Sequence, residues 1–260
     1  MNNIFSYSTF SVARVLMALC VFFCHVFEPF NDFGFLFVGV FFFMSGYGME
    51  YMNKRSFALT RTVPYILYFF WFSLIYFFVF QKWVYPSGWF LVVYFVLMLI
   101  YRFVRNIYVL LVSFLILAFF MEVCGFEFGW TTSYGGFLFG VFFARNQSAF
   151  TLSSVLMFIP GVVLVVFGVQ PALWCLIPVF SWIVLHLSSF SFMRRIAFMG
   201  DYTFYFYCIH CFVLGLFGAT WTLGGAPSFM TCLGAFCVSV LVSVFMKDYL
   251  FNYPKIQKAG

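Results

Sequence analysis

Two consecutive apolar segments between Ser11 and Tyr47, SVARVLMALCVFFCHVF and FGFLFVGVFFFMSGYG, constrain this chain more than any other stretch. Each is long enough to enter a bilayer. Between them they hold one arginine, one histidine and a Ser-Gly-Tyr, separated by a short acidic turn. Arg14 and His25 are eleven residues apart, and eleven steps of about 100° return to nearly the same helix face. The rise between them is about 16 Å. With Arg14 at one membrane interface, His25 is expected about halfway through the hydrocarbon. An ionisable group at that depth is costly, so it is expected to face a cavity or a protein partner.

The rest of the chain continues in the same manner. Of 260 residues, 65% are apolar, 27% are aromatic and only 8% are charged, more apolar surface than a soluble core can hide. The expectation is one all-α integral-membrane domain, a polytopic helix bundle over residues 1–260 with no soluble domain. Ten apolar segments are read at 9–27, 33–52, 63–80, 88–104, 107–124, 130–144, 152–169, 172–188, 200–218 and 228–247. The sixth is the weakest, being short and carrying Gly135, Gly136 and Gly140. Pro160 and Pro178 predict kinks in the seventh and eighth.

Ten spans separate the loop charges by sign. Lys54, Arg55, Arg61, Arg102, Arg105, Arg145, Arg194, Arg195, Lys247, Lys255 and Lys258 fall on one side. Lys82 falls on the other, with Glu28, Asp32, Glu122 and Glu127. The positive-inside rule then places both termini in the cytoplasm. This bias accounts for most of the net charge of +6, so no nucleic-acid partner is expected. Trp83, Trp89, Trp130, Trp174 and Trp221 fall at the outer ends of spans, where amphipathic rings prefer to sit.

The eight cysteines lie inside apolar stretches and read as small packing residues. Cys208-Ile-His210-Cys211 is the nearest approach to a metal motif. Helical spacing puts the histidine on a different face from either cysteine, so no metal site is expected. The N-terminal segment has neither a basic leader nor a small-residue cleavage site, and no cleavable signal is read there.

In the ninth segment, GDYTFYFYCIHCF, Thr203, Tyr207 and His210 follow a 4, 3 spacing and form one polar stripe, expected to face the bundle interior. His210 lies about 15 Å beyond Gly200, which brings it to nearly the depth of His25. His186, beside Ser188 and Ser189, reads as interfacial.

These features, taken in order, resemble the acyltransferase-3 family of membrane-bound acyltransferases, many of them bacterial enzymes that O-acetylate surface or secreted polysaccharides. Arg14 and His25 match the arginine and histidine of the family's first helix. Val40-Phe41-Phe42-Phe43-Met44-Ser45-Gly46-Tyr47 resembles the aromatic Ser-Gly-aromatic signature of the second. Arg61 with Pro64-Tyr65 resembles the opening of the third helix, and Trp89-Phe90-Leu91 that of the fourth. Gly200, Thr203, Tyr207 and His210 resemble the Gly, Ser, Tyr, His pattern of a late helix. The matches extend from about residue 9 to residue 215. Two family positions differ: an arginine is replaced by Ala58, and an aspartate of the second helix by Gly39.

The resemblance implies transfer of an acyl group, most simply acetyl, from cytoplasmic acetyl-CoA to a hydroxyl of a polysaccharide or lipid-linked glycan at a bacterial cytoplasmic membrane. It implies Arg14, Arg61, Ser45 and Tyr47 at the donor, and Trp89, Tyr207 and His210 at the acceptor pocket. The residues themselves fit that chemistry. A neutral imidazole suits removal of a hydroxyl proton as the new bond forms, which makes His25 the candidate base. Glu28, three residues later, is a candidate to orient the ring. Arginine recognises phosphate through paired donors, as an acyl-CoA requires. The competing classes are a transporter or flippase of a lipid-linked sugar, with the histidines as proton relays, and an inactive partner subunit.

Overall fold

A computed structural model describes residues 4–27, 33–51, 70–71, 73–81, 88–124, 129–167, 172–219 and 227–251. Within them the chain is all-α. Helices α1 (Tyr7–Val26) and α2 (Gly34–Tyr51) are followed by a helical stretch at 73–80, α3. Next come α4 (Gly88–Phe103), α5 (Ile107–Cys124), α6 (Gly129–Arg145), α7 (Phe150–Val166) and α8 (Ala172–Ser188). A 3-10 segment, Met193–Asp201, leads into α9 (Thr203–Phe217), and α10 (Phe229–Phe245) closes with a π turn at Met246–Phe251. Among the described residues, three helical stretches are long and apolar enough to cross a membrane: Tyr7–Val26, Gln147–Val166 and Phe229–Tyr249. Trp174–Ser188 and Met193–Asp201, bent by 114°, qualify as a fourth if taken as one broken span. The limits follow the apolar runs, because helix is the conformation in which an isolated segment satisfies its own backbone in lipid. Local chemistry sets some of the ends. Ser6 Oγ accepts from the Thr9 amide at 3.2 Å at the start of α1, and Ser228 Oγ from the Thr231 amide at 3.1 Å at the start of α10. Helix runs unbroken through Pro160 in α7 and Pro178 in α8.

The sixth segment, weakest by sequence, makes the closest helix pair among the described residues. A Cβ on Gly136 would collide with the Gly39 carbonyl, one on Gly140 with the Phe43 carbonyl, and one on Gly46 with the Phe137 carbonyl. The α2 and α6 backbones therefore touch, as small residues spaced along a helix permit. Glycine costs an isolated helix about 1 kcal/mol per residue, and the same missing side chain allows this contact.

The buried apolar residues form three clusters. One joins α2, α4, α5 and α6 with Tyr207 and Cys208 of α9; a second joins α1, α2, α7 and α8; a third joins α1, α9 and α10. Helices α1 and α2 thus sit at the centre. The outward faces of α5 and α7 are lined by exposed Leu, Ile, Val and Phe, among them Phe119, Ile116, Ile159 and Leu152. An apolar exterior around an ordered interior suits lipid as the surrounding medium.

Several contacts gather one end of the bundle. Phe5 stacks on Tyr47 with ring centroids 4.7 Å apart, and Gln147 Nε2 donates to Tyr47 Oη at 2.6 Å. Arg145 donates to both Glu50 carboxylate oxygens, at 3.0 and 3.2 Å, and to the Arg105 carbonyl at 3.0 Å. The first turn of α1 and the last turns of α2 and α6 therefore share this end, and with them Glu50, Arg105 and Arg145.

Candidate functional site

Helices α1 and α9 run parallel, and what each carries is paired at two levels. At the lower level the 3-10 segment packs on α1, where a Cβ on Gly200 would lie 2.6 Å from the Ser11 carbonyl oxygen. The bare glycine lets Asp201 reach across. Its carboxylate accepts from Tyr7 Oη at 2.8 Å and lies 3.9 Å from Arg14 Nη2 and 3.8 Å from Lys247 Nζ. Arg14 also donates to Ser11 Oγ at 3.0 Å. Lys247 sits 3.9 Å above the Tyr202 ring, whose hydroxyl donates to Asp248 at 3.3 Å. Two cations and two carboxylates from three elements, α1, the 3-10 segment and the π turn, thus meet in one partly exposed cluster.

The upper level holds the two imidazoles, with ring centroids 5.3 Å apart and planes inclined at 40°. Thr203, Tyr207 and His210 are all buried, so the stripe read from their spacing does face the interior. Tyr207 packs against Phe90 of α4 at 4.3 Å and Phe41 of α2 at 6.0 Å. Thr203 Oγ1 donates to the Gly200 carbonyl at 2.8 Å. His25 stands in the last turn of α1 and is only partly buried, whereas His210 is eighth of the fifteen residues of α9. Eleven residues of helix still separate Arg14 from His25, as the spacing requires.

His210 is held in one tautomer. Its Nδ1 lies 2.7 Å from the Tyr207 carbonyl and 3.1 Å from that of Phe206, and two carbonyls can only accept, so Nδ1 carries the proton. Nε2 then presents its lone pair, and the Cys211 thiol, 3.3 Å away, donates to it. This revises the reading of Cys208-Ile-His210-Cys211, in which the wheel kept histidine and cysteine on separate faces. The reach of the two side chains closes that angular gap. His25, His210 and Cys211 present three ligand atoms within 4.8 Å of one another.

Between the two levels lies an apolar cavity of about 330 Å³, lined by Val15, Ala18 and Leu19 of α1, Thr203 and Phe206 of α9, Val240 of α10 and their neighbours. Phe206 and Phe236 line it, and Phe22 packs on both, with centroid separations of 5.4 to 5.9 Å. Phe206 also stacks on His210 at 5.6 Å and an interplanar angle of 6°.

Other residues singled out by sequence fall elsewhere. Ser45 Oγ donates to the Phe41 carbonyl in its own helix at 2.9 Å. Tyr47 is buried at the gathered end, its hydroxyl taken by Gln147. His186 Nδ1 pairs with the Trp182 carbonyl at 2.8 Å, in the last turn of α8. Gly39 lies between α6 and α8, where a Cβ would come 2.9 Å from Ile177 and 3.3 Å from Thr132. Glu28, Arg61, Lys54, Arg55 and Ala58, and the side chain of Trp89, lie outside the described residues.

Asp201 is the participant that the sequence reading passes over. The signal available was Gly200 before it, since a glycine next to an acidic residue at a helix entry marks a close approach. Comparison of the chain with protein-family models, with curated proteins and with solved structures finds no match.

Proposed function

We propose that the protein is a membrane-embedded O-acyltransferase of the acyltransferase-3 type, with ten spans and both termini in the cytoplasm of a bacterium. It moves an acetyl group from acetyl-CoA to a glycan hydroxyl on the far side of the bilayer. The observation that carries this reading is the two-level pairing along α1, of Arg14 with Asp201 at the end of the 3-10 segment and of His25 with His210 in α9.

The ionic cluster suits the donor's phosphates. Arg14 and Asp201 are separated by 3.9 Å and are a third to nearly half exposed, so their pairing is worth about 0–1 kcal/mol and an arriving phosphate can take the place of Asp201. The cavity above suits the arm that carries the thioester, and the Phe206 and Phe236 rings at its imidazole end turn aside for the thioester to reach His25. In the reaction the glycan oxygen attacks the thioester carbon while His25 takes the hydroxyl proton; the carbon–sulfur bond then breaks and the CoA thiolate takes that proton from His25 as it leaves. His210, fixed by its carbonyl contacts, orients His25 through ring packing.

The test is purified protein in lipid discs supplied with acetyl-CoA and a host glycan fraction. CoA thiol release that depends on both and saturates with acetyl-CoA supports the reading. Transport of the glycan without thiol release would contradict it and favour a flippase.

A further inference from the structure

We propose that His25, His210 and Cys211 form a binding site for one zinc-class divalent cation, a role that goes beyond acyl transfer and does not depend on it. The three donor atoms already lie within 4.8 Å of one another, and two of them, His210 Nε2 and Cys211 Sγ, are 3.3 Å apart. Tetrahedral zinc with bonds of about 2.0–2.3 Å holds such atoms about 3.3–3.6 Å apart. Only His25, partly buried at the end of α1, has to swing inward.

The chemistry of the donors points the same way. Two imidazoles and a thiol with no carboxylate in the group form a soft set that disfavours magnesium and calcium and suits zinc or its neighbours. Metal-bound histidines usually donate their second ring N–H to a carbonyl or carboxylate, which fixes the metal-binding nitrogen. His210 has that partner in place, with Nδ1 on the Tyr207 carbonyl at 2.7 Å and Nε2 left facing the cluster. His210 and Cys211 are buried, 1% and 5% exposed, so their placement is set by packing.

Binding proceeds with loss of the Cys211 thiol proton to solvent, so that a thiolate and two neutral imidazoles meet the cation. Three protein ligands leave one coordination position for water or another small ligand. With zinc in place, a ring nitrogen of His25 is committed to the metal and cannot take a substrate proton. Metal and base are therefore alternative states of one site, and bound zinc inhibits the transfer proposed above.

The test uses untagged, full-length protein in detergent, freed of metal by a chelator and titrated with zinc and with cobalt(II). The expected result is about one ion per chain, with a thiolate-to-cobalt charge-transfer band in the near ultraviolet. Cys211→Ser removes the band, and His25→Ala weakens zinc binding about tenfold or more. Because His210→Ala can disturb the packing of α9, it is reserved for confirmation, and every variant is checked for monodispersity. Failure of the monodisperse wild type to bind an ion overturns the proposal. So does stoichiometric binding that survives unchanged in the His25→Ala, Cys211→Ser double variant, which would put the ion elsewhere. Metal content is read without any acyl transfer, so loss of the acyltransferase reading leaves this result intact, and the reverse also holds.

Discussion

The α2–α6 seam and the α1–α9 pair are both close helix contacts, but they are built from opposite materials. In the seam, glycines bring backbone against backbone, and the side chains around them are apolar. In the α1–α9 pair, one glycine brings a carboxylate to an arginine, and about 16 Å further along α1 two imidazoles meet. The first contact holds the bundle together. The second gathers ionisable groups, which are costly within a bilayer and mark a candidate functional site.

The sharpest way to break this contrast is to crowd the seam. Gly140→Leu drives a side chain into the Phe43 carbonyl and the Tyr47 amide, and is expected to cost on the order of 3 kcal/mol or more. The readout is loss of monodisperse protein on extraction. His25→Ala should do the reverse, leaving extraction and thermal stability near wild type while acyl transfer falls about 10²- to 10⁴-fold. Equal damage to both readouts would make the α1–α9 pair a second packing seam.

Smaller effects separate the two levels of α1–α9. Arg14→Ala should raise the KM for acetyl-CoA with little change in kcat, since it removes a contact made before the reaction as well as during it. Asp201→Asn should lower that KM, by freeing Arg14 and Lys247 from their internal anion, and change stability by no more than about 1 kcal/mol. A rise in KM for Asp201→Asn would show that the cluster positions Arg14 instead of competing for it. Least affected should be Glu50→Gln, which removes an exposed ion pair to Arg145 at the rim of the seam: under about 1 kcal/mol by thermal unfolding, with transfer unchanged.

Much of the helical layout was legible because apolar runs and helix limits have one cause, the cost of bare backbone in lipid. Segments read at 107–124 and 172–188 are the helices Ile107–Cys124 and Ala172–Ser188. The importance of the sixth was not legible. Gly136 and Gly140 lower local helix propensity, and their value appears only against α2. The first residues of the ninth segment also read differently, as Met193–Asp201 forms a separate 3-10 segment before α9 begins at Thr203. That irregular entry is what carries Asp201 to Arg14, and a periodicity argument looks only along regular helix. Spacing put His25 and His210 at similar heights, while the adjacency of α1 and α9 that brings their rings together was not legible. Nor was the approach of Cys211, because a helical wheel records direction from the axis and ignores how far a side chain reaches.

The central claim is that the α1–α9 pair transfers acyl groups to glycan through His25. Its most direct measurement is the O-acetyl content of the host's surface glycans in cells lacking the protein, carrying the wild type, or carrying His25→Ala at equal membrane abundance. Acetyl esters present with the wild type and missing from the other two are the expected result. Glycans acetylated equally in all three, or restored in full by His25→Ala, would contradict it.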